Sequence, residues 1–281
     1  MKPKIIQIAI PGLTINARVW GPENGVRVLA MHGWLDNAAT FDLLAPLLTQ
    51  CRIVSIDFPG HGFSDHLPPS GIYHHEDRVI QMFQVANALG WEKFNILGHS
   101  MGGVIGTFMA AVFPERIEKI AAIDVIPFLN VFHFNLVKAI RTHIENVNKI
   151  PRSHEIYSSK SEAARKRANI NPQFPMKQES ALALAEGGMA AVTSGYFWTF
   201  DMRLLLPNFM APTDEMIIQA LEIITAQYCL VVSDKGLVST ISDYKEKISP
   251  IKNLQIHEIP GGHHIQLDDP ESVTEILKLF F

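Results

Sequence analysis

The 281-residue chain is poor in cysteine, with only Cys51 and Cys229, which lie far apart in the sequence. Two such residues supply neither a disulfide framework nor the ligands of a structural zinc site. An HExxH or similar ligand spacing is also missing, so we expect no bound metal. Scarce cysteine is typical of proteins in a reducing compartment, and we expect a cytoplasmic protein.

Long apolar runs and an excess of basic charge are missing as well. No stretch approaches the roughly 18 apolar residues that a membrane-spanning helix needs. The apolar N-terminal segment is short, because Gln7 interrupts it and Pro11 and Gly12 end it. The formal net charge is -4, which gives no positive field for a phosphate backbone. We expect neither a membrane span nor a nucleic-acid partner.

What the chain does contain is a regular alternation of β-rich and helical runs over its first third. Apolar residues make up 47% and charged residues 19% of the sequence, a composition typical of globular proteins. Strands that alternate with helices predict an α/β fold, with a mostly parallel, doubly wound sheet. A helix is expected near residues 40–50, and another from Pro270, a residue well suited to a first helical position.

This alternation stops after Asp124. Residues 127–207 are richer in Asn, Ser, Lys and Arg and show helical rather than strand patterning. Strand-like sequence returns at AQYCLVVSD, after a helix that we expect to start at Thr213. We therefore predict a helical cap, residues 127–207, inserted between two parts of one core, residues 1–126 and 208–281.

A G-x-S-x-G pattern runs from Gly98 to Gly102, with Ser100 at its centre. A serine hydroxyl is a poor nucleophile and must be held exposed at a sharp strand-to-helix turn, where small flanking residues let the backbone pass closely. The run KFNILG before the pattern resembles a buried strand, and VIGTFMAAVF after it resembles a helix. This context predicts a nucleophile at Ser100 rather than a residue of an ordinary turn.

Acyl transfer also needs hydrogen-bond donors for the oxyanion that develops on the substrate. The N–H of Met101, directly after the nucleophile, is one expected donor. The other is expected from the HGWLD loop after the third strand, and we assign it to the N–H of Trp34. These two amides form the predicted oxyanion hole.

The base and the acid are sought in the chain order nucleophile, acid, base. The segment PGGHH near the C-terminus supplies two adjacent histidines, of which His263 is preferred over His264 because it directly follows Gly262. Two carboxylates, Asp124 and Asp234, stand at the ends of predicted strands, where the ligand sites of open α/β sheets form. Both are candidates for the acid.

Several of these segments lie in the order and spacing of the α/β-hydrolase superfamily: MHGWLDNAATFDLLAPLL, DFPGHGFSD, LGHSMGG and PGGHH. Within it the chain resembles most closely the serine hydrolase-like group, also called kraken-like, in HGWLDNA, around TFDMRLLL and at its end. The resemblance covers nearly the full length outside the middle of the insertion. It implies the α/β-hydrolase fold and esterase-like hydrolysis, for which no cofactor is required.

The sequence departs from the superfamily pattern at the acid. Many members carry an aspartate in a G-x-x-D pattern after the strand that corresponds to YCLVV, whereas this chain has Gly236 at that position. This arrangement resembles that of some related hydrolases, in which the acid follows the strand after the nucleophile unit and a small polar residue stands after the later strand. This resemblance favours Asp124 over Asp234 and makes Ser233 a supporting hydrogen-bond partner.

The end of the insertion, TSGYFWTFDMRLLLP, places aromatic side chains beside charged ones. Trp198 is a candidate for the wall of a pocket above Ser100, and Arg203 for a contact with a polar substrate group. Such aromatic clusters also form ordinary cores.

We therefore expect a serine hydrolase that cleaves small carboxylic esters, with a small-molecule ester as its partner. A carbon–carbon bond hydrolase or a thioesterase can use the same serine and histidine. A ligand receptor or scaffold with little turnover is the alternative of another class. The sequence leaves the physiological substrate and the oligomeric state open.

Overall fold

The computed structural model describes residues 2–127, 135–151, 153–207 and 212–281, and within them ten strands are present. The strands are β1 (Lys4–Ile10), β2 (Leu13–Trp20), β3 (Val26–Met31), β4 (Cys51–Ile56), β5 (Phe94–His99), β6 (Ile117–Ile123), β7 (Met189–Val192), β8 (Gly195–Trp198), β9 (Gln227–Lys235) and β10 (Leu254–Gly262). Eight of them form one sheet, in the order β1-β2-β4-β3-β5-β6-β9-β10. All neighbours from β4 to β10 are parallel, whereas β1 and β2 are added antiparallel at one edge.

The burial of the strands follows their place in this sheet. All six residues of β5, which lies near the middle, are buried, as expected for a parallel strand that is covered on both faces. At the antiparallel edge, β1 alternates between exposed and buried residues toward its end. The predicted mostly parallel α/β sheet is confirmed.

The described helices lie between and after these strands. They are α1 (His75–Ala88), α2 (Met101–Val112), α3 (Leu136–Val147), α4 (Lys160–Ala168), α5 (Gln178–Gly188), α6 (Asp214–Ile223), α7 (Tyr244–Ile248), α8 (Ile265–Asp268) and α9 (Pro270–Phe280). The predicted first residues of two helices in the last third of the chain are confirmed. Thr213 accepts a hydrogen bond from Met216 N–H at the start of α6, and Pro270 begins α9.

The single helix predicted near residues 40–50 is wrong. Two short 3-10 helices, Ala38–Phe41 and Ala45–Leu47, stand there instead. The second begins with Pro46 in its first turn. Because proline has no N–H and restricts the residue before it, the first helix cannot continue through this position.

Apolar clusters cover both faces of the sheet, because successive side chains of a strand point to opposite sides. On β5, Ile96 belongs to a cluster that includes residues of α1, α2 and α6. The next residue, Leu97, belongs to a second cluster, which includes residues of α9. The sheet is therefore doubly wound, as predicted.

The inserted segment contains α3, α4 and α5 and also a two-stranded antiparallel sheet, β7 with β8. The purely helical pattern that we predicted for it is thus incomplete. A third apolar cluster lies mostly in this segment and includes Ala163, Leu184 and Met189, joined by Leu267 of the core. The limits of the cap at residues 127 and 207 stay a prediction.

Among the described residues, no helix combines the length and the apolar character needed to cross a bilayer.

Candidate active site

Ser100 stands at the sharp turn between β5 and α2, with φ 50° and ψ −122°. A positive φ is costly for a residue with a side chain, and such strained turns are typical of functional positions. The flanking glycines permit it by their small size. A Cβ at Gly98 would lie 2.5 Å from the backbone of Gly103, and one at Gly102 would lie 2.1 Å from the carbonyl oxygen of Met31. The predicted strand, turn and helix are all present.

His263 follows directly after β10 and faces Ser100. Its Nε2 lies 3.0 Å from Ser100 Oγ, and its Nδ1 lies 2.7 Å from Asp124 Oδ2. The structure therefore brings together three residues that the sequence places far apart. His264, the alternative histidine, is buried and its Nδ1 lies 3.8 Å from Asp36.

The carboxylate of Asp124 is fully buried at the end of β6, where its backbone also has a positive φ of 49°. It accepts the N–H groups of Leu237 at 2.6 Å, Ser233 at 3.3 Å and Val238 at 3.4 Å. These bonds satisfy a charge that burial would otherwise penalise strongly. Asp234 is exposed, and its Oδ1 accepts the N–H of Gly261 instead.

Gly236 leaves room for the carboxylate of Asp124. A Cβ at this position would lie 2.2 Å from Asp124 Oδ2 and 2.5 Å from Asp124 Cγ. Such distances do not occur between a Cβ and a neighbouring atom, so any side chain at position 236 would displace the Asp124 carboxylate. The Asp124 carboxylate occupies the space that a side chain at position 236 would need.

Ser233 contacts Asp124 through its backbone rather than through its side chain. Its hydroxyl is buried and has no hydrogen-bond partner in the described part of the chain. The contact to Asp124 Oδ1 comes from its backbone N–H, at 3.3 Å. A supporting role of Ser233 in the reaction stays a prediction.

The loop after β3 is held by buried hydrogen bonds. His32 Nε2 accepts the N–H of Phe58 at 3.0 Å, so its Nδ1–H is the donor to the carbonyl of Gly33, at 2.6 Å. Burial lowers the pKa of His32, which keeps this neutral tautomer at neutral pH. The side chain of Trp34 is half exposed, and its indole N–H donates to the carbonyl of Leu204 in the cap. The oxyanion roles of the Trp34 and Met101 amides stay predictions.

Sequence reasoning missed a buried polar cluster beside the base, formed by Asp36, His99 and His264. His99 Nε2–H donates to the carbonyl of His263 at 2.9 Å and so fixes the backbone of the base. Burial, reinforced by the neighbouring His263, holds the pKa of His99 and of His264 well below the usual 6.5. Both rings are neutral at neutral pH. No sequence pattern marks this set, since its members come from three separate segments.

Arg203 lies in the cap but not as a substrate ligand. Its Nε donates to the Asp201 carboxylate, its Nη1 to the carbonyls of Pro68 and Gly71, and its Nη2 to Leu67 O and Asp201 Oδ2. All five N–H donors of the guanidinium are therefore used within the protein. Instead of the predicted substrate contact, Arg203 links Asp201 to the carbonyl groups of the core loop 67–71. We call this set of hydrogen bonds the clamp.

Trp198, the other predicted substrate contact, lies in β8. It is partly buried and packs against the apolar cluster of the cap. This is the ordinary role that aromatic side chains play in a core. A contact between Trp198 and a substrate stays a prediction.

Replacing Arg203 with methionine is expected to destabilise the protein by about 3 kcal/mol, because it leaves the largely buried Asp201 without its charge partner. The midpoint of thermal unfolding should fall by about 5–10 °C. Arg165→Met, at an exposed position of α4, is the matched control and should change the stability by about 0.5 kcal/mol or less. Equal melting curves for the two variants would contradict the clamp.

Comparison with known proteins agrees with this architecture. A family model described as the alpha/beta hydrolase fold matches residues 26–142. The serine hydrolase-like protein of Danio rerio is 32% identical, over 98% of this chain and 87% of the relative. The crystal structure of the hypothetical protein PA1622 from Pseudomonas aeruginosa is 30% identical and covers 100% of this chain and 99% of its own, with a TM-score of 0.90. The thioesterase domain from the curacin biosynthetic pathway shares the fold at a TM-score of 0.83 and 21% identity, with 99% of this chain and 100% of that domain covered.

Proposed function

Because this chain belongs to the serine hydrolase-like group of the α/β-hydrolase superfamily, we propose that it is an esterase that cleaves small carboxylic esters through an acyl-enzyme. One observation carries the proposal. Hydrogen bonds run without a gap from Ser100 Oγ to His263 Nε2, at 3.0 Å, and from His263 Nδ1 to Asp124 Oδ2, at 2.7 Å. This order of hydroxyl, imidazole and carboxylate is what an activated serine nucleophile requires.

In the first step the tautomer of His263 determines which ring nitrogen can accept the proton of Ser100. Its Nδ1–H donates to the Asp124 carboxylate, which leaves the lone pair of Nε2 directed at Ser100 Oγ. As Oγ attacks the ester carbonyl, Nε2 takes its proton, and the buried carboxylate stabilises the imidazolium that forms. The N–H groups of Met101 and Trp34 are assigned to the oxyanion of the tetrahedral intermediate.

In the second half the same proton returns. His263 Nε2–H protonates the alkoxide of the leaving alcohol, and the acyl group stays on Ser100 Oγ as an ester. A water molecule then loses a proton to Nε2 and attacks this ester. As the bond between the acyl carbon and Ser100 Oγ breaks, Nε2–H returns that proton to Oγ, so that the acid product is released with Ser100 and His263 in their starting forms. Each step conserves atoms and protons without a metal or a cofactor.

One structural feature favours this function over a binding-only protein, whereas a thioesterase is distinguished from it only by measurement. A binding-only receptor has no use for a buried carboxylate that is aligned on a histidine and a strained serine, so the intact chain of bonds favours turnover. A thioesterase would use the same three residues, because acyl transfer to Ser100 is the same for both leaving groups. The distinction between them lies in the leaving group and must be measured.

The folded protein is expected to react with a fluorophosphonate probe at Ser100, which mass spectrometry of the labelled peptide can locate. Heat-denatured protein is the control and should not react, since activation depends on the folded arrangement of His263 and Asp124. No label on the folded protein, or a label on another residue, would contradict a serine hydrolase. Values of kcat/KM for p-nitrophenyl butyrate and a butyryl thioester then decide between esterase and thioesterase.

A further inference from the structure

Three side chains converge next to the base, and the His99 and His264 rings lie 4.8 and 5.1 Å from the ring of His263. They are Asp36 from the loop after β3, His99 at the end of β5, and His264, the residue after the base. One ligand atom of each lies within 4.8 Å of the others, and their exposed fractions are 2%, 0% and 6%. A carboxylate and two imidazoles that meet at one buried point form a donor set suited to zinc-class metals.

The hydrogen bonds described for the cluster do not use the Nδ1 atoms of its two histidines. His99 donates through Nε2 to the carbonyl of His263, so the lone pair of its Nδ1 faces Asp36 Oδ2, at 3.7 Å. His264 Nδ1 lies 3.8 Å from the same oxygen. Neither Nδ1 has a hydrogen-bond partner in the described ranges of the chain. Buried polar atoms are rarely left without a partner, and each of these needs an explanation.

We propose that Asp36 Oδ2, His99 Nδ1 and His264 Nδ1 bind a divalent transition-metal ion of the zinc class. Ligands at about 2.1 Å from a tetrahedral ion lie about 3.4 Å apart, so the separations of 3.7 and 3.8 Å from Asp36 Oδ2 to the two Nδ1 atoms need to shrink by only a few tenths of an ångström. The ligand atoms of the two histidines, which lie within 4.8 Å of each other, must also move together to bind one ion. The fourth position is left to a water molecule. The sequence predicts no metal here because no two ligands fall in a recognisable spacing.

The surroundings hold these ligands in the required orientation. A ligating histidine commonly donates its other N–H to a carbonyl or carboxylate, as His99 does to the carbonyl of His263. Asp36 Oδ1 is fixed by Arg167 Nη2 of α4, at 2.7 Å. Asp36 Oδ2 accepts only a long hydrogen bond from the Thr40 hydroxyl, at 3.4 Å, and keeps lone-pair capacity for the ion. The guanidinium also offsets the charge of Asp36, so the neutral histidines must supply much of the affinity.

An ion at this point would join two loops of the active site. Asp36 lies on the loop that carries Trp34, and His264 is bonded to His263 in the chain. The metal is assigned no part in hydrolysis, and its binding can be tested without any substrate. Its expected effect is to stabilise the folded protein.

The test begins with protein freed of metal by a chelator and dialysed against a metal-free buffer. Titration calorimetry with Zn²⁺ should give one equivalent of saturable binding. The midpoint of thermal unfolding should rise by about 5 °C when free Zn²⁺ exceeds the dissociation constant about a hundredfold. Absence of saturable binding to the folded wild type would overturn the proposal.

Three variants locate the site. His264→Gln and Asp36→Asn should each weaken Zn²⁺ binding by about a hundredfold or more, since each removes one of three ligands. His257→Gln, at a partly exposed histidine of β10, is the matched control and should bind like the wild type. Unchanged binding in His264→Gln or Asp36→Asn, or a loss in His257→Gln alone, would place the ion elsewhere and refute the site.

A crystallographic measurement on the wild type does not depend on whether these variants fold. Crystals equilibrated with Zn²⁺ should show an anomalous difference peak between Asp36 Oδ2 and the two Nδ1 atoms. A peak only at other positions, or a water molecule without anomalous signal between the three atoms, would overturn the assignment.

Discussion

Ser100→Ala is expected to lower kcat for a p-nitrophenyl ester by about ten-thousandfold to a millionfold, because the residues of such a site act as a unit and the nucleophile is the bond-forming atom. Alanine keeps the Cβ and removes only the hydroxyl that lies 3.0 Å from His263 Nε2. The variant should therefore fold like the wild type. Steady-state turnover is the measurement, with circular dichroism and thermal unfolding as the check on the fold.

Loss of the fluorophosphonate label should accompany the loss of turnover. The remaining activity should be the same in every enzyme preparation. It should exceed the uncatalysed rate only by what the oxyanion hole and substrate binding contribute. A Ser100→Ala enzyme that retains turnover within tenfold of the wild type would exclude Ser100 as the nucleophile and with it the proposed acyl-enzyme.

The second large effect is expected at Asp124. Asp124→Asn should lower kcat about ten-thousandfold, because an amide in this place favours the wrong tautomer of His263 and cannot stabilise the imidazolium. Asp234→Asn is the matched control, since that exposed carboxylate bonds to Gly261 N–H and is not the group that faces His263. Its kcat should stay within about threefold of the wild type, because the amide oxygen of asparagine can still accept the N–H of Gly261 and the position is exposed.

Both aspartate variants must be compared at equal folding. Three backbone N–H groups point at the Asp124 carboxylate, so its amide variant also loses charge-assisted hydrogen bonds. Each measured rate is divided by the fraction of folded protein, which thermal unfolding gives, so that a loss of stability is not counted as a loss of activity. A larger decrease at Asp234 than at Asp124 would reverse the assignment of the acid.

The sequence was sufficient for the parts of the site that depend on neighbours in the chain. The elbow at Ser100 needs a buried strand, two close glycines and a helix, all of which stand within a few residues. His263 follows from the position of a histidine after the last strand. The parallel sheet was predictable for the same reason, because alternation of strand and helix is a local signal.

The choice between Asp124 and Asp234 could not be made in this way. Both residues end a strand on the same edge of the sheet, and the local sequence does not say which carboxylate turns inward. The structure favours Asp124, whose backbone has a positive φ and whose carboxylate accepts three N–H groups from residues more than a hundred positions later. These long-range contacts form because β6 and β9 pair as parallel neighbours in the sheet.

Arg203 and the buried cluster beside the base show the same limit. An arginine next to aromatic residues suggested a substrate contact, whereas its actual acceptors are carbonyls of loop 67–71 on the core. Asp36, His99 and His264 lie in three segments that meet only in the folded sheet. Residues whose partners are distant in the chain carry no periodic or spaced signal that could reveal them.

The empty Cβ position of Gly236 has a consequence for how such an enzyme can change. Since Asp124 fills that space, an aspartate cannot be added at position 236 while the first one remains. In the proposed mechanism, removing Asp124 alone leaves His263 without an acid. Transfer of the acid from β6 to β9 therefore requires two substitutions that are each harmful alone and compatible only together, a case of strong epistasis between neighbouring positions.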